Sequence, residues 1–455
     1  MRHLSTVAAF LGAASAVSPL VHRASDVFSV AVPGGVEDVV ITKENTINGT
    51  YHDSKTTVVH QNKLRDAGTG ATSRPLLLEL VNNHGGGQAY VYITGLDWAN
   101  RVVFVKADGT LVYPSSGGSR VPVPVGESVA VPLPPGRGRS LRMALPIAIS
   151  SGRVWIAEGQ LHFYMVRTAS GDGLVQPSPT NLRDPSSGIN WGFAELTCTR
   201  ERKIYANISY VDFVGLILSI SLRGGNGRGS QMTRGLGANS VSKICQGMAT
   251  QSSRDGFPWR GMCVISKAGN PIRVLSPNNY AIINPAGFQH YWGPYVDRVW
   301  GEYGRTPLFI NTQSPAGTVA CKVSGGLLRC GGGDNRGYAK PTANDIWGCN
   351  SGPFEKHAGD NAVHVAVIPR LCAAFVRSTL LLGGGNVQPR VASSLYYKTT
   401  PTSHYSRLVH ELEVDGKGYA FPYDDVNPDG DGNASGVVAS DDPEALTIYV
   451  GAPPP

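Results

Sequence analysis

The chain is 455 residues long with 41% hydrophobic and 16% charged residues, enough apolar surface to offset the entropy of ordering, which excludes a disordered polyelectrolyte. Its 56 glycines and 31 prolines together fill 87 positions, about 19% of the chain, a load that disfavours a helical bundle and suits many short strands joined by turns. The formal charge of +7 is spread without a run of five basic residues, so nucleic acid is not the expected ligand, because tracking phosphates needs a clustered basic stripe.

Met1-Arg2-His3 precedes an apolar run of small residues from Leu4 to Val17, the length of a signal-peptide core and too short to span a bilayer. Residues 1–24 are read as a signal peptide, with Ala14-Ser15-Ala16 or a point near Ala24 as the cut. A secreted, extracellular protein is expected, with no membrane partner: the longest later apolar run, Phe213 to Leu222, is ten residues, and the Pro-rich end lacks a lipid-anchor tail. Seven cysteines then imply up to three disulfides and at least one free thiol. Cys321 and Cys330 flank Gly325-Gly326 and are the first pair expected to join, across a hairpin. Neither CxxC nor HExxH occurs, so no metal or other cofactor is expected. Asn48, Asn207 and Asn433 each begin an Asn-x-Ser/Thr triplet, the acceptor pattern for a glycan.

Residues 25–73 are polar and turn-rich and read as an N-terminal extension of unknown role. From 74 to 228 short β-prone segments recur between Gly, Pro and Asn turns: Leu76–Val81, Ala89–Ile93, Arg101–Val105, Val129–Leu133, Arg153–Ala157, Gln160–Val166, Trp191–Thr197 and Tyr205–Leu222. That is the pattern of a sandwich or barrel. The glycine-rich stretch 224–229 lacks the third glycine of a dinucleotide fingerprint and any Gly-Lys-Ser/Thr, and is read as a connection between domains. Residues 229–415 carry the helix signals. Phe288, Trp292, Tyr295 and Val299 follow Asn284-Pro285 on one helical face, interrupted at Gly293-Pro294, so one helix or two are expected; Pro369 opens a helix to Leu381, and Thr402 or Ser403 opens one through Tyr405, Leu408 and Leu412. Residues 416–455 return to strands at Gly418–Phe421 and Leu446–Val450.

The segments Trp191–Thr197 and Ile208–Val214 flank the charged turn Arg200-Glu201-Arg202-Lys203. A hairpin whose paired positions sum to about 407 sets Glu195 opposite Asp212 and both acids on one face. Two carboxyls a few ångströms apart in an apolar setting resist joint ionisation, so one keeps its proton near neutral pH. Glycoside hydrolysis needs that division: an acid for the leaving oxygen and a carboxylate to activate water or attack carbon. A charge inside the apolar run Val211–Leu222 is costly unless it serves a purpose.

These residues resemble a known family. Gly192-Phe-Ala-Glu195-Leu-Thr197 followed by Tyr205-Ala-Asn-Ile-Ser-Tyr-Val-Asp212-Phe-Val-Gly-Leu is similar to the active-site hairpin of glycoside hydrolase family 64, the thaumatin-like β-1,3-glucanases, laminaripentaose-producing type. Leu78–Asn83, Tyr90–Asp97, Gly152–Ile156, Tyr295–Trp300, Arg370–Phe375 and Asp415–Asp425 agree, so the resemblance covers about residues 74–450. It departs at Ala194, where fungal-type relatives often have Cys. The resemblance implies a secreted fungal member of β-rich α+β fold: a thaumatin-like β-barrel or sandwich domain and a mixed α/β domain flanking a wide groove. It further implies endo-hydrolysis of β-1,3-glucan with inversion, Glu195 as acid and Asp212 as base, in a monomer. Inversion asks for about 6.5–9.5 Å between the carboxyls.

Thr197, Tyr205, Asn207 and Asp424 are the candidate substrate-binding residues, with Asp424 and Asp425 a second-choice acid pair at a strand end. Asp429-Gly-Asp431-Gly-Asn433 imitates half a calcium loop but lacks the required Gly and Glu. Trp191, Trp259, Trp292, Trp300 and Trp347 are expected in the core rather than against sugar. The alternative to the enzyme is a non-catalytic β-1,3-glucan-binding wall or defence protein that keeps the groove without turnover.

Overall fold

The structure, a computed structural model, describes residues 56–63, 71–169, 171–225, 227, 229–429 and 434–454. The signal-peptide segment, most of the N-terminal extension and the triplets at Asn48 and Asn433 lie outside the described residues.

Alternating apolar residues build the expected strands, and the largest sheet has nine of them. Its order is Thr57–Val59, Leu111–Tyr113, Val102–Val105, β1 (Tyr90–Leu96), β2 (Ile149–Ala157), β3 (Trp191–Cys198), β4 (Ile204–Ile208) and Val438–Ser440, with Val131–Pro132 also pairing on β1. β5 (Phe213–Val214) leaves this sheet and pairs with Pro271–Leu275 in a three-stranded sheet. β6 (Leu218–Gly224) joins a five-stranded sheet in which Pro443–Gly451 pairs antiparallel with β6 and parallel with Ala71–Asn83. The end strands of every sheet differ, so no closed barrel forms among the described residues. Period-two alternation fixes which face of a strand is buried but says nothing about whether the last strand meets the first.

Two further expectations are corrected. The glycine-rich stretch closes a hairpin, since Ser230 pairs back on Arg223. Gly418–Phe421 forms no strand; Tyr419 bridges to Ser209 and donates to the Ile208 carbonyl at the end of β4.

The helices are α1 (Ser240–Asp255), α2 (Pro277–Ile283), α3 (Gly293–Arg305), α4 (Ala343–Gly348), α5 (Ala362–Val376) and α6 (His404–Leu412). The Phe288 stripe resolves into turns followed by α3, which starts at Gly293 with Pro294 in its first turn, where a missing N–H costs nothing. α5 starts at Asn361, whose side chain caps His364 N–H, and runs through Pro369 rather than from it. α6 begins at the expected Ser403, which accepts from Ser406 N–H. α1 escapes the sequence reading because its buried stripe, Ser240, Ile244, Met248 and Gln251, is half polar. No helix among the described residues is long and apolar enough to cross a membrane.

Cys245–Cys263, Cys321–Cys330 and Cys349–Cys372 form disulfides, and Cys198 is free and buried. The Cys321–Cys330 pair joins neighbouring strands as the hairpin suggested.

Beneath β2 and β3 the core is aromatic. Trp155 lies 5.5 Å from Trp191 and 5.1 Å from Phe193, and Trp191 meets Phe213 edge-on at 4.5 Å; such pairs contribute about 0.5–1.5 kcal/mol each beyond burial. The buried Arg273 guanidinium lies 5.0 Å from the Trp191 ring and donates to the carbonyls of Pro179 and Ile189. The five tryptophans expected in the core are all 6% exposed or less, whereas Trp98 is 52% exposed. Close backbone approach ties the end of this core to the chain leaving the sheet: a Cβ on Gly215 would stand 2.1 Å from the Trp191 carbonyl oxygen, which accepts from Leu216 N–H. Only glycine permits that crossing.

Candidate active site

The hairpin of β3 and β4 closes through a tight turn in which Thr199 N–H donates to Lys203 and Arg202 N–H to Thr199, with Arg202 in the left-handed region. The turn is therefore shorter than the charge run suggested. Glu195 pairs with Asn207 and Thr197 with Tyr205, so paired positions sum to 402 and the partner of Glu195 is five residues from the expected Asp212 (212 − 207). Asp212 lies beyond the end of β4, in the bend before β5.

The Asp212 charge nevertheless acts on Glu195. Glu195 is 8% exposed. Its Oε1 accepts from Arg153 at 3.1 Å and its Oε2 from Asn207 Nδ2 at 3.3 Å. Arg153 pairs with Glu195 across β2 and β3, and Thr94 on β1 pairs with Arg153, so the row Thr94, Arg153, Glu195, Asn207 crosses four strands on one face. Arg153 also donates to Gln176 at 2.6 Å and lies 4.3 Å from the Phe193 ring. Burial raises the Glu195 carboxyl, Arg153 pulls it back, the Asp212 charge raises it further, and Asn207 lowers it. Asp212, half-buried, is raised by burial and pulled back by Arg153. The Asp212 charge thus acts on Glu195, and one guanidinium acts on both. Burial therefore favours the neutral form of both carboxyls, and the Asp212 charge favours it further at Glu195.

Arg153 is missed as a site residue by the sequence, where it stands only in the segment Arg153–Ala157 and the motif Gly152–Ile156. A basic residue two positions before Trp155 in an apolar strand was the available signal, since such a charge needs an acidic partner.

Asn207 is 5% exposed and its amide is spent on Glu195, which removes it as a glycan acceptor and places it in the acid's immediate surroundings. Thr197 and Tyr205, half-buried, sit two pairs nearer the turn. Tyr205 lines a cavity of about 400 Å³ with Gly224, Gln231, Ser440 and Asp441.

Asp424 is placed differently from expectation. It is 1% exposed, with Oδ1 on Arg377, and Oδ2 on His410 Nε2 and Ala420 N–H. Its oxygens are committed inside the protein, so it is not a surface for substrate. It is also not a strand-end acid, because residues 421–425 form a bend and turns and no strand. Burial pushes its carboxyl up, but His410 and Arg377 outweigh it and hold it below the usual range. His410 Nδ1 meets Glu413 at 2.8 Å, and although burial pushes the imidazole down, the Asp424 and Glu413 carboxylates lift it to about 10. A folded value above the ordinary 6.5 means the ion pairs stabilise fully below pH 6.5, and that stability is lost as pH rises toward 10. The melting temperature is accordingly expected to fall across that window and His410→Gln to flatten the slope; an unchanged slope by scanning calorimetry refutes this.

Comparison with known proteins follows the same residues. The model of the glycoside hydrolase 64 family, described as β-1,3-glucanase, matches residues 74–450. A glucan endo-1,3-β-glucosidase of Cellulosimicrobium cellulans is 27% identical over 373 residues, 79% of this chain, and the chain spans 63% of that relative's length. A laminaripentaose-producing β-1,3-glucanase in complex with laminaritetraose superposes with TM-score 0.72 at 27% identity, covering 84% of this chain and 99% of that one. A β-1,3-glucanase domain from Clostridium beijerinckii, at 21% identity and TM-score 0.64, covers 84% of this chain and 99% of its own and shares the fold.

Proposed function

The chain belongs to glycoside hydrolase family 64, the β-1,3-glucanases, and from that premise we propose that it is a secreted, monomeric endo-β-1,3-glucanase that cleaves its polymer with inversion, Glu195 as acid and Asp212 as base. The observation that carries this reading is that both carboxyls, Glu195 buried and Asp212 half-buried, are raised and feel Arg153, while the Asp212 charge raises Glu195 further. A raised Glu195 delivers its proton to the glycosidic oxygen as the bond to the anomeric carbon breaks. The Asp212 carboxylate takes a proton from the water that attacks that carbon from the opposite face. Asn207, by accepting no proton and donating to Oε2, leaves the Oε1 side to Arg153 and fixes the direction in which Glu195 points.

The register is in keeping with inversion: Asn207 and not Asp212 is the strand partner of Glu195, so the two acids are not a directly opposed cross-strand pair. Secretion is supported by three disulfides, which persist in oxidising compartments. The relatives compared carry neither the fungal source nor the thaumatin-like label that the resemblance implied.

Incubating the protein with laminarin and following new reducing ends by NMR tests the proposal. Fresh α-anomers are the expected product; β-anomers refute inversion, and binding without shortening refutes the enzyme. Arg153→Gln is expected to let both carboxyls rise, moving the pH–activity profile to higher pH, with kcat down about 10- to 100-fold. A profile fixed in place, measured as kcat against pH, contradicts that role.

A further inference from the structure

Asp212 occupies a stretch of backbone that no regular strand supports. β4 ends at Ile208 and β5 begins at Phe213, so the orientation of residue 212 depends on what holds residues 209–212. Three distant segments do so. Tyr210 N–H donates to the Tyr419 carbonyl at 2.7 Å. The Tyr210 carbonyl accepts from the Tyr405 hydroxyl at 2.5 Å, across 195 residues of sequence. The Asp212 carbonyl accepts twice, from Ser276 N–H at 2.9 Å and from Asn279 Nδ2 at 2.9 Å.

We infer that Asn279 on α2 and Tyr405 on α6 are positioning residues for Asp212, holding the proposed base in register with Glu195. The helix itself does not need the Asn279 side chain. Ser276 caps α2 by accepting from Asn279 N–H, which leaves the Asn279 amide to reach out of the helix toward Asp212. Asn279 is 8% exposed and Tyr405 0%, so water does not replace either donor without rearrangement. Tyr405 shares α6 with His410, whose ion pairs to Glu413 and Asp424 lock that helix against residues 413–424. The base is thus set by two helices far from it in sequence, while the acid is set by the sheet.

This inference rests on the role proposed for Asp212. Its test measures kcat, KM and the pH profile on laminarin for Asn279→Ala, the isosteric Asn279→Asp, and Tyr405→Phe. A base displaced by a fraction of an ångström loses attack geometry rather than substrate affinity. Each variant is expected to lose kcat about 10- to 100-fold with KM within about twofold of wild type. In Asn279→Ala and Tyr405→Phe the acidic limb should move to lower pH as water reaches Asp212 and relieves the burial that raises it. Asn279→Asp, which fills the space but cannot donate, should be as impaired as Asn279→Ala. Wild-type kcat in any folded variant, full activity of Asn279→Asp, or loss of kcat in Asn279→Ala and Tyr405→Phe with the acidic limb unmoved overturns the inference. Should Asn279→Ala fail to fold, Tyr405→Phe, which removes one oxygen, decides. Asp212→Asn run alongside separates the two levels: full activity there defeats the catalytic reading itself, whereas an inactive Asp212→Asn with an unaffected Asn279→Ala defeats only the positioning.

Discussion

Glu195→Gln is expected to lower kcat on laminarin by about 10²- to 10⁴-fold, the range that a single positioned proton donor supplies. The amide keeps the shape and can still accept from Arg153 through its oxygen, so folding and substrate affinity should change little. What is lost is the proton. The loss should therefore depend on the leaving group: an activated aryl β-glucoside of a laminari-oligosaccharide departs without protonation and is expected to be cleaved by the variant at close to the wild-type rate. Equal loss on laminarin and on the aryl substrate contradicts the assignment of the acid. The basic limb of the wild-type profile should also disappear, because it reports the carboxyl that must stay protonated and that burial and the Asp212 charge both raise.

Asp212→Asn is expected to cost a similar factor with the opposite signature. Without a carboxylate to take its proton, water is a poor nucleophile whatever the leaving group, so activated aryl substrates should give no recovery. Two consequences follow for the partner. The Asp212 charge raises Glu195, so its removal should lower the Glu195 pKa, with Arg153 now acting on Glu195 alone. Titration of Glu195 by NMR in the Asp212→Asn protein checks this, and an unmoved or raised value defeats the electrostatic account. The contrast between the two variants on two substrates assigns acid and base independently of any relative.

Much of the site could be read from residue order. The apolar alternation around Glu195 put it on a strand, the charged run placed a turn between two strands, and an acid in the run Val211–Leu222 marked itself by its cost. What residue order misjudged was distance along the hairpin. The charge run Arg200–Lys203 contains the turn, but the length of the turn shifts every partner beyond it, and with Arg202 left-handed the strands pair from Cys198 and Ile204 onward. Asp212 consequently reaches Glu195 not as a strand partner but from a bend whose course is set by α2, α6 and Tyr419. Asp424 shows the same limit. Residue order set it at a strand end that does not form, and its enclosure by Arg377 and His410 was not legible, because those residues lie 47 and 14 positions away.

Sequence alone decided what is local: strands where apolar residues alternate, the cap at Ser403, the hairpin cysteines, and the family to which the motif combination points. Tertiary structure decided what is not: the open sheets in place of a closed barrel, the run of α5 through Pro369, Asn207 beside the acid, and Arg153 between the two carboxyls. The physical reason is range. Side-chain alternation and capping act over a few residues and leave a signature in order and spacing, whereas burial, charge pairing and the aim of a carboxyl depend on groups brought together from as far as 195 residues apart, which no short window contains.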